Sequence, residues 1–198
     1  TYTWLSILPM AHTYQLCLGV LYPMYVGANV CYLMRMPSPS ILLSALKQEK
    51  PQIICSVPLI IEKIYYKSIL PTIQSNHLLS WMQKHIPWIL FFIIGIKLRK
   101  IFGWKLTFFG VGGAKLNTEV ESFLHKCHFP YAIGYGMTET APLICNASVG
   151  KTKLGSTGIP AYGVKIKLIN QTENGEGEIV VKGDNVMLGY YKNPELTK

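Results

Sequence analysis

Strand-like apolar runs alternate with helical patterns through the first 146 residues of the chain, and this alternation limits the folds that it can adopt. Strands that alternate with helices are typical of a largely parallel sheet with helices on both faces. The predicted strands are 6–8, 29–33, 53–56, 106–109 and 131–134. The predicted helices are 14–24, a helix opened by Ser38 that runs to Lys47, one from Pro58 to the Tyr65 region, the stretch 78–102 with a break at Pro87, and 117–127.

After Asn146 the chain changes character, because glycines separate short strand patterns at 164–169 and 178–182. The dipeptide Asn174-Gly175 favours a tight hairpin turn. We therefore expect an α/β fold with a mostly parallel sheet flanked by helices over 1–146. Part of a small antiparallel β-barrel or sheet is expected over 147–198.

Two glycine clusters follow predicted strands, at 110–114 and at 134–136. Open α/β sheets bind ligands at the carboxyl ends of their strands, so both clusters are candidates for a binding site. The second cluster contains Tyr135 and continues into Thr138 and Glu139. An aromatic ring can stack on a base, a glycine lets the backbone approach a ligand, and a hydroxyl and a carboxylate suit phosphate oxygens and Mg²⁺. A plain turn is the alternative interpretation of this stretch taken alone.

Five stretches of the sequence occur in the order found in one enzyme family. They are Leu8 to His12, reading LPMAH; Ser56 to Lys63, SVPLIIEK; Gly112 to Leu116, GGAKL; Gly134 to Pro142, GYGMTETAP; and Gly177 to Tyr191, GEIVVKGDNVMLGYY. On these stretches the chain resembles, over essentially all of its 198 residues, part of a long-chain fatty acid–CoA ligase of the adenylate-forming, AMP-binding superfamily. The LPMAH and PLIIEK forms point to the long-chain branch of that superfamily.

The resemblance implies a reaction in two steps. A fatty-acid carboxylate attacks the α-phosphate of ATP to give acyl-adenylate and pyrophosphate, and the thiol of coenzyme A then displaces AMP. ATP, Mg²⁺ and coenzyme A are therefore the implied cofactors and substrates, together with a fatty acid. A non-catalytic module that uses the same pocket to hold a nucleotide or lipid is the alternative.

The resemblance also implies roles for individual residues. Glu139 would hold Mg²⁺ against the phosphates and Thr138 would bond a phosphate oxygen; a surface carboxylate and a helix cap are the alternatives. His12 would lie near the acyl carboxylate and the path of the pantetheine chain, although a lone histidine in an apolar setting is usually a core residue. The implied lining of the nucleotide and adenylate site is Thr13, Gly112, Gly113, Ala114, Gly134, Tyr135, Gly136 and Thr138, with Tyr135 stacked on adenine. Gly163, Gly189 and Tyr190 are predicted to be structural turns of the β region.

The family also has motifs that this sequence does not contain. Its phosphate loop ending in Pro-Lys-Gly is not found before Leu8, and its ribose-binding Thr-Gly-Asp motif and its C-terminal lysine are not found after Tyr191. The resemblance therefore implies an internal piece of the N-terminal domain of a longer enzyme, with the rest of the parent chain as a partner.

Composition bears on the compartment and on the class of ligand. The net charge is +9, but the basic residues are scattered apart from a modest cluster at 97–105, and no nucleic-acid motif accompanies them. We therefore expect no nucleic-acid ligand. The five cysteines form no Cys-x-x-Cys pair and several stand in apolar runs, which predicts buried free thiols in a reducing compartment. Without a secretory signal pattern, the expected location is cytoplasmic.

The most apolar run, 86–96, is shorter than the about 20 residues that a membrane-spanning helix needs. A buried helix is the favoured prediction for it. Trp88 near one end and Lys97, Arg99 and Lys100 at the other also permit a helix that lies on a membrane surface. Peripheral membrane contact is therefore the alternative.

Overall fold

A mixed sheet of seven strands forms the centre of the computed structural model, which describes residues 2–33 and 38–198. The strands are β1 Thr3–Ser6, β2 Asn29–Tyr32, β3 Ile53–Ser56, β4 Phe108–Val111, β5 Tyr131–Gly136, β6 Leu143–Ala147 and β7 Ile159–Pro160. Their order across the sheet is β2-β1-β3-β4-β5-β6-β7. Strands β1 to β5 pair in parallel, whereas β6 is antiparallel to β5 and to β7. The predicted α/β class with a mostly parallel sheet is confirmed.

Helices connect the parallel strands, as the alternation of patterns predicts. They are α1 Thr13–Leu16, α2 Tyr22–Tyr25, α3 Pro39–Glu49, α4 Pro58–Ile64, α5 Leu70–Ser75, α6 His77–His85, α7 Pro87–Ile101, α8 Thr118–Lys126 and α9 Pro194–Thr197. A π-helical turn at Cys17–Leu21 joins α1 to α2, and another at Tyr65–Ile69 joins α4 to α5.

Side chains near the helix starts explain several of the boundaries. The Ser38 hydroxyl accepts a hydrogen bond from the backbone of Ile41 at 3.3 Å, which confirms the predicted cap of α3. The Asn117 side chain accepts from the backbone of Glu119 at 2.9 Å and thereby caps α8. The break between α6 and α7 falls before Pro87, where proline is tolerated in a first helical turn.

The core lies between the sheet and the helices. Phe102 at the end of α7, Phe109 on β4 and Phe129 before β5 form an aromatic cluster with ring centroids 5.1–5.5 Å apart. Helix α7 buries one face there, with Leu90, Ile94 and Leu98 four residues apart. Its opposite face exposes Trp88, Phe92 and Ile96, so the prediction of a buried helix is correct for one face only. Among the described residues, no helix is long and apolar enough to cross a membrane.

Several strand boundaries differ from those predicted. Strand β1 ends at Ser6, before most of the predicted run 6–8. Strand β4 extends to Val111 and β5 to Gly136, so both glycine clusters begin inside strands. Strand β5 extends to Gly136 because β6 pairs with it that far, across a bulge between Tyr135 and Gly136.

The last part of the described chain contains a separate pair of strands. Strands β8 Lys165–Ile169 and β9 Glu178–Lys182 form an antiparallel hairpin, as the short strand patterns predict. Its turn includes a hydrogen bond from the backbone of Gly175 to the carbonyl of Thr172 at 2.9 Å, which confirms the turn at Asn174-Gly175. The division of the chain at residues 146 and 147 stays a prediction.

Candidate nucleotide-binding site

The carboxyl ends of β3, β4 and β5 lie side by side and bring the two glycine clusters together. Ser56 pairs with Val111, and Val111 pairs with Ile133. The backbone N–H of Gly112 donates to the carbonyl of Ser56 at 3.1 Å, so the chain stays attached to the sheet for one residue beyond β4. A β-carbon on Gly112 would lie 3.4 Å from the carbonyl oxygen of Gly134, which shows how closely the clusters approach.

Residues 112–114 of the first cluster follow the end of β4, and we call them the ledge. Gly112 is buried, and a β-carbon there would also lie 3.5 Å from the ring of Tyr14, which comes from α1. Gly113 and Ala114 are exposed beside it. Gly113 has a φ of +82°, a left-handed conformation that favours glycine. Gly113 therefore leaves its backbone accessible to a ligand, with no side chain in the way.

The second cluster leads into a tight turn that carries Thr138 and Glu139. The turn is the 3₁₀ segment Thr138–Thr140, in which Thr138 is exposed and Glu139 is partly exposed. Buried Thr140 holds it, because its hydroxyl accepts from the backbone of Met137 at 3.1 Å and lies 3.0 Å from the carbonyl of Pro142. A side chain at Gly136 would overlap that same carbonyl, so the turn requires glycine there.

The Glu139 carboxylate has a partner that the sequence does not indicate. The phenol of Tyr190 donates to Glu139 Oε1 at 2.9 Å. The backbone N–H of Glu139 and this phenol together hold the pKa of the carboxyl below its usual range, because both stabilise the charged form. Gly189 and Tyr190 are predicted to be structural turns of the β region, and the structure adds that the Tyr190 phenol contacts Glu139, a predicted site residue.

The side chains available near Glu139 decide whether the predicted Mg²⁺ site fits the structure. Among residues 2–33 and 38–198, no group of three or more histidine, cysteine, aspartate or glutamate side chains could hold a metal ion. Mg²⁺ commonly takes one or two protein carboxylates and completes its coordination with water and substrate phosphates. One carboxylate with a lowered pKa, on the residue that follows Thr138, fits a metal that arrives with a nucleotide.

His12 and Thr13 lie at the start of α1. His12 is exposed, and its Nδ1 accepts from the backbone of Tyr14 at 3.1 Å, so it caps the helix and is not a core histidine. The Thr13 hydroxyl is buried and has no hydrogen-bond partner within the described part of the chain. The thiol of Cys17 approaches the carbonyl of Ala141 at 3.7 Å, which joins this helix to the turn that carries Glu139.

Comparisons with known proteins bear on the family and the fold of this chain. A model of the AMP-binding enzyme family matches residues 1–191. Long chain acyl-CoA synthetase 1 of Arabidopsis thaliana is 30% identical over 98% of this chain and 33% of its own length. A long-chain-fatty-acid–[acyl-carrier-protein] ligase of the same plant is 38% identical over 44% of this chain and 13% of its own length. An o-succinylbenzoate CoA synthetase from Bacillus subtilis superposes with a TM-score of 0.73 at 23% identity, covering 99% of this chain and 35% of that one.

The family match and the fold define an adenylate-forming type of protein. The chain belongs to the AMP-binding enzyme family, because the family model matches nearly all of it. The chain spans about a third of the length of the acyl-CoA synthetase that it matches.

Proposed function

We propose that this chain supplies the nucleotide-binding edge of an ATP-dependent ligase that joins long-chain fatty acids to coenzyme A. The meeting of the ledge at 112–114 with Tyr135, Thr138 and Glu139 at one sheet edge carries the proposal. In this assignment the ledge and the Tyr135 ring enclose adenine from opposite faces, and the Thr138 hydroxyl bonds a phosphate oxygen.

Glu139 and His12 would serve the reacting groups. Glu139 holds Mg²⁺, which when bound neutralises charge on the phosphates during transfer. His12 lies at an exposed helix start, where it is accessible to an acyl carboxylate or a pantetheine chain. Thr13 and Gly134 are assigned to the lining of the acyl-adenylate. The remaining residue assigned to the lining is Gly136.

The proposed reaction has two steps. An acid carboxylate oxygen bonds to the α-phosphorus of ATP while the bond to pyrophosphate breaks. The coenzyme A sulfur then bonds to the acyl carbon, the bond to AMP breaks, and the thiol proton passes to solvent or a base. Both steps depend on positioning and charge neutralisation, which are the contributions that this sheet edge can make.

The long-chain assignment rests on relatives that differ in substrate. The synthetase that aligns with nearly the whole chain is named for long-chain acids, and the acyl-carrier-protein ligase is named for them as well. The superposed Bacillus enzyme is named for o-succinylbenzoate, and at 23% identity it supports the fold alone. We therefore favour a long aliphatic acid.

The test is pyrophosphate release by the complete protein that contains this chain. Four acids are compared as substrates, each in the presence of ATP and Mg²⁺: palmitate, o-succinylbenzoate, benzoate and malonate. Coenzyme A or acyl carrier protein is then added, and the thioester formed is identified by mass spectrometry. We expect release with palmitate and a coenzyme A thioester. Turnover only with an aromatic or short acid would overturn the long-chain assignment, and no turnover with any acid would favour the non-catalytic binding module.

We also propose a cytoplasmic protein that contacts anionic membrane surfaces through the outer face of α7. Trp88, Phe92 and Ile96 follow one another at four-residue spacing and are 72%, 60% and 40% exposed. Lys100 continues the same row and is exposed. An apolar row that ends in a basic residue suits the boundary between acyl chains and anionic headgroups.

A further inference from the structure

Residues 183–191, which follow β9, lie over the turn that carries Glu139. The backbone N–H of Met187 donates to the Glu139 carbonyl at 2.8 Å. The side-chain amide of Asn185 donates to the carbonyls of Thr140 and Leu143, each at 2.9 Å. With the Tyr190 phenol on Oε1, one segment holds both the backbone and the carboxylate of Glu139.

Tyr190 is itself fixed by the short helix that follows it. Its backbone N–H donates to the Thr197 hydroxyl at 3.0 Å, and its carbonyl accepts from the backbone of Asn193 at 3.1 Å. Thr197 also donates to the Asn193 carbonyl at 2.8 Å. Hydrogen bonds to the following helix therefore hold the backbone of Tyr190 in place.

A carboxylate on a partly exposed turn can adopt several rotamers. To bind a metal ion, the carboxylate has to be held in one of these rotamers. Partners that hydrogen-bond a metal ligand fix its orientation, and losing one typically lowers metal affinity about 10- to 100-fold. The Tyr190 phenol is such a partner for Glu139, since it bonds one named oxygen of the carboxylate.

We propose that Tyr190 is a positioning residue that orients the Glu139 carboxylate for the Mg²⁺–nucleotide complex, and that residues 185–190 work as a clamp on the site. This inference rests on the proposed nucleotide-binding function. No residue of this segment is predicted from the sequence to belong to the nucleotide site.

Tyr190→Phe tests the proposal in the complete protein, because it removes the hydroxyl and keeps the ring. Tyr191→Phe is the matched control, since that neighbouring ring is 88% exposed and packs against Lys192. The first measurement is ATP affinity by calorimetry, with Mg²⁺ and with EDTA. We expect Tyr190→Phe to weaken ATP binding about 10-fold in Mg²⁺ and to leave it unchanged in EDTA, and Tyr191→Phe to alter neither.

The second measurement repeats the substitution in a Glu139→Gln background, where Tyr190→Phe should have no further effect on Mg²⁺-dependent binding. Thermal unfolding of each variant shows whether the fold is retained. Wild-type Mg²⁺ dependence in Tyr190→Phe would overturn the positioning role and leave the proposed function standing. A wild-type protein whose ATP binding ignores Mg²⁺ would overturn the metal assignment of Glu139 and this inference together.

Discussion

The side-chain amide nitrogen of Gln15 donates a hydrogen bond of 2.7 Å to the hydroxyl of Ser6, and both side chains are buried. This bond ties α1 to the end of β1, and it holds the helix start that carries His12 and Thr13. Gln15 also lies over Gly19, where a β-carbon would overlap its amide. The bond therefore fixes the helix start against the sheet.

Ser6→Ala should lower the free energy of unfolding by about 1–3 kcal/mol, because it leaves the buried amide of Gln15 without its acceptor. The double variant Ser6→Ala with Gln15→Leu should lose less than the sum of the two single changes. Urea unfolding of the four proteins gives the coupling. Strictly additive effects would show that the bond contributes nothing of its own.

Glu139→Ala should reduce pyrophosphate release by the complete protein at least about 100-fold, because phosphate charge in the transition state would lose its metal-holding carboxylate. Glu173→Ala, which removes an exposed carboxylate from the turn between β8 and β9, is the control and should retain full activity. Near-wild-type turnover by the Glu139 variant would remove it from the metal site.

Gly113→Ala should destabilise the protein by about 1–2 kcal/mol, because φ of +82° places any β-carbon against the following carbonyl. Gly112→Ala should have a smaller effect, since its β-carbon would meet its neighbours at 3.4–3.5 Å, which is ordinary contact distance. Chemical unfolding of the two variants side by side measures the difference. Equal losses would mean that the left-handed conformation at Gly113 is not the constraint.

Local patterns in the sequence account for most of the fold. The alternation of strands and helices predicts the parallel part of the sheet, and the caps at Ser38 and Asn117 mark helix starts because each acts within three residues. Strand β7 could not be predicted, since it has only two residues and one of them is proline. Periodicity does not reveal the π-helical turn after α1, where the Gln15 side chain packs over Gly19.

Some residues of the candidate site can be predicted from the sequence and others cannot. The glycine clusters and the residues Thr138 and Glu139 are visible in the sequence because they lie at the ends of consecutive predicted strands. Tyr190 and Asn185 are not, because their partners Glu139 and Thr140 lie 51 and 45 residues away. The prediction of buried free thiols holds for Cys55, Cys127 and Cys145, whereas Cys17 and Cys31 are only partly buried.

Because of Cys127, the free energy of unfolding should change with pH in the alkaline range. Burial raises the pKa of its thiol to about 12 from an ordinary value of 9.0. Between these values the unfolded chain loses the proton and the folded chain keeps it, so the free energy of unfolding falls as pH rises. Cys127→Ala should reduce this slope between pH 9 and pH 11 in urea titrations. Parallel curves for variant and wild type would show that the folded thiol ionises normally.

The outer row of α7 should govern binding to anionic membranes. Trp88→Ala with Phe92→Ala should reduce co-sedimentation of the complete protein with phosphatidylserine vesicles by several-fold, because these two side chains provide most of the exposed apolar surface in the row. The control is Leu78→Ala with Trp81→Ala on α6, which removes exposed side chains of similar size from a different helix. Neutral phosphatidylcholine vesicles should bind less protein, since the basic residues at 97–100 then have no anionic partner. Equal binding by both double variants would place the contact elsewhere, and no co-sedimentation of the wild type would overturn the membrane proposal.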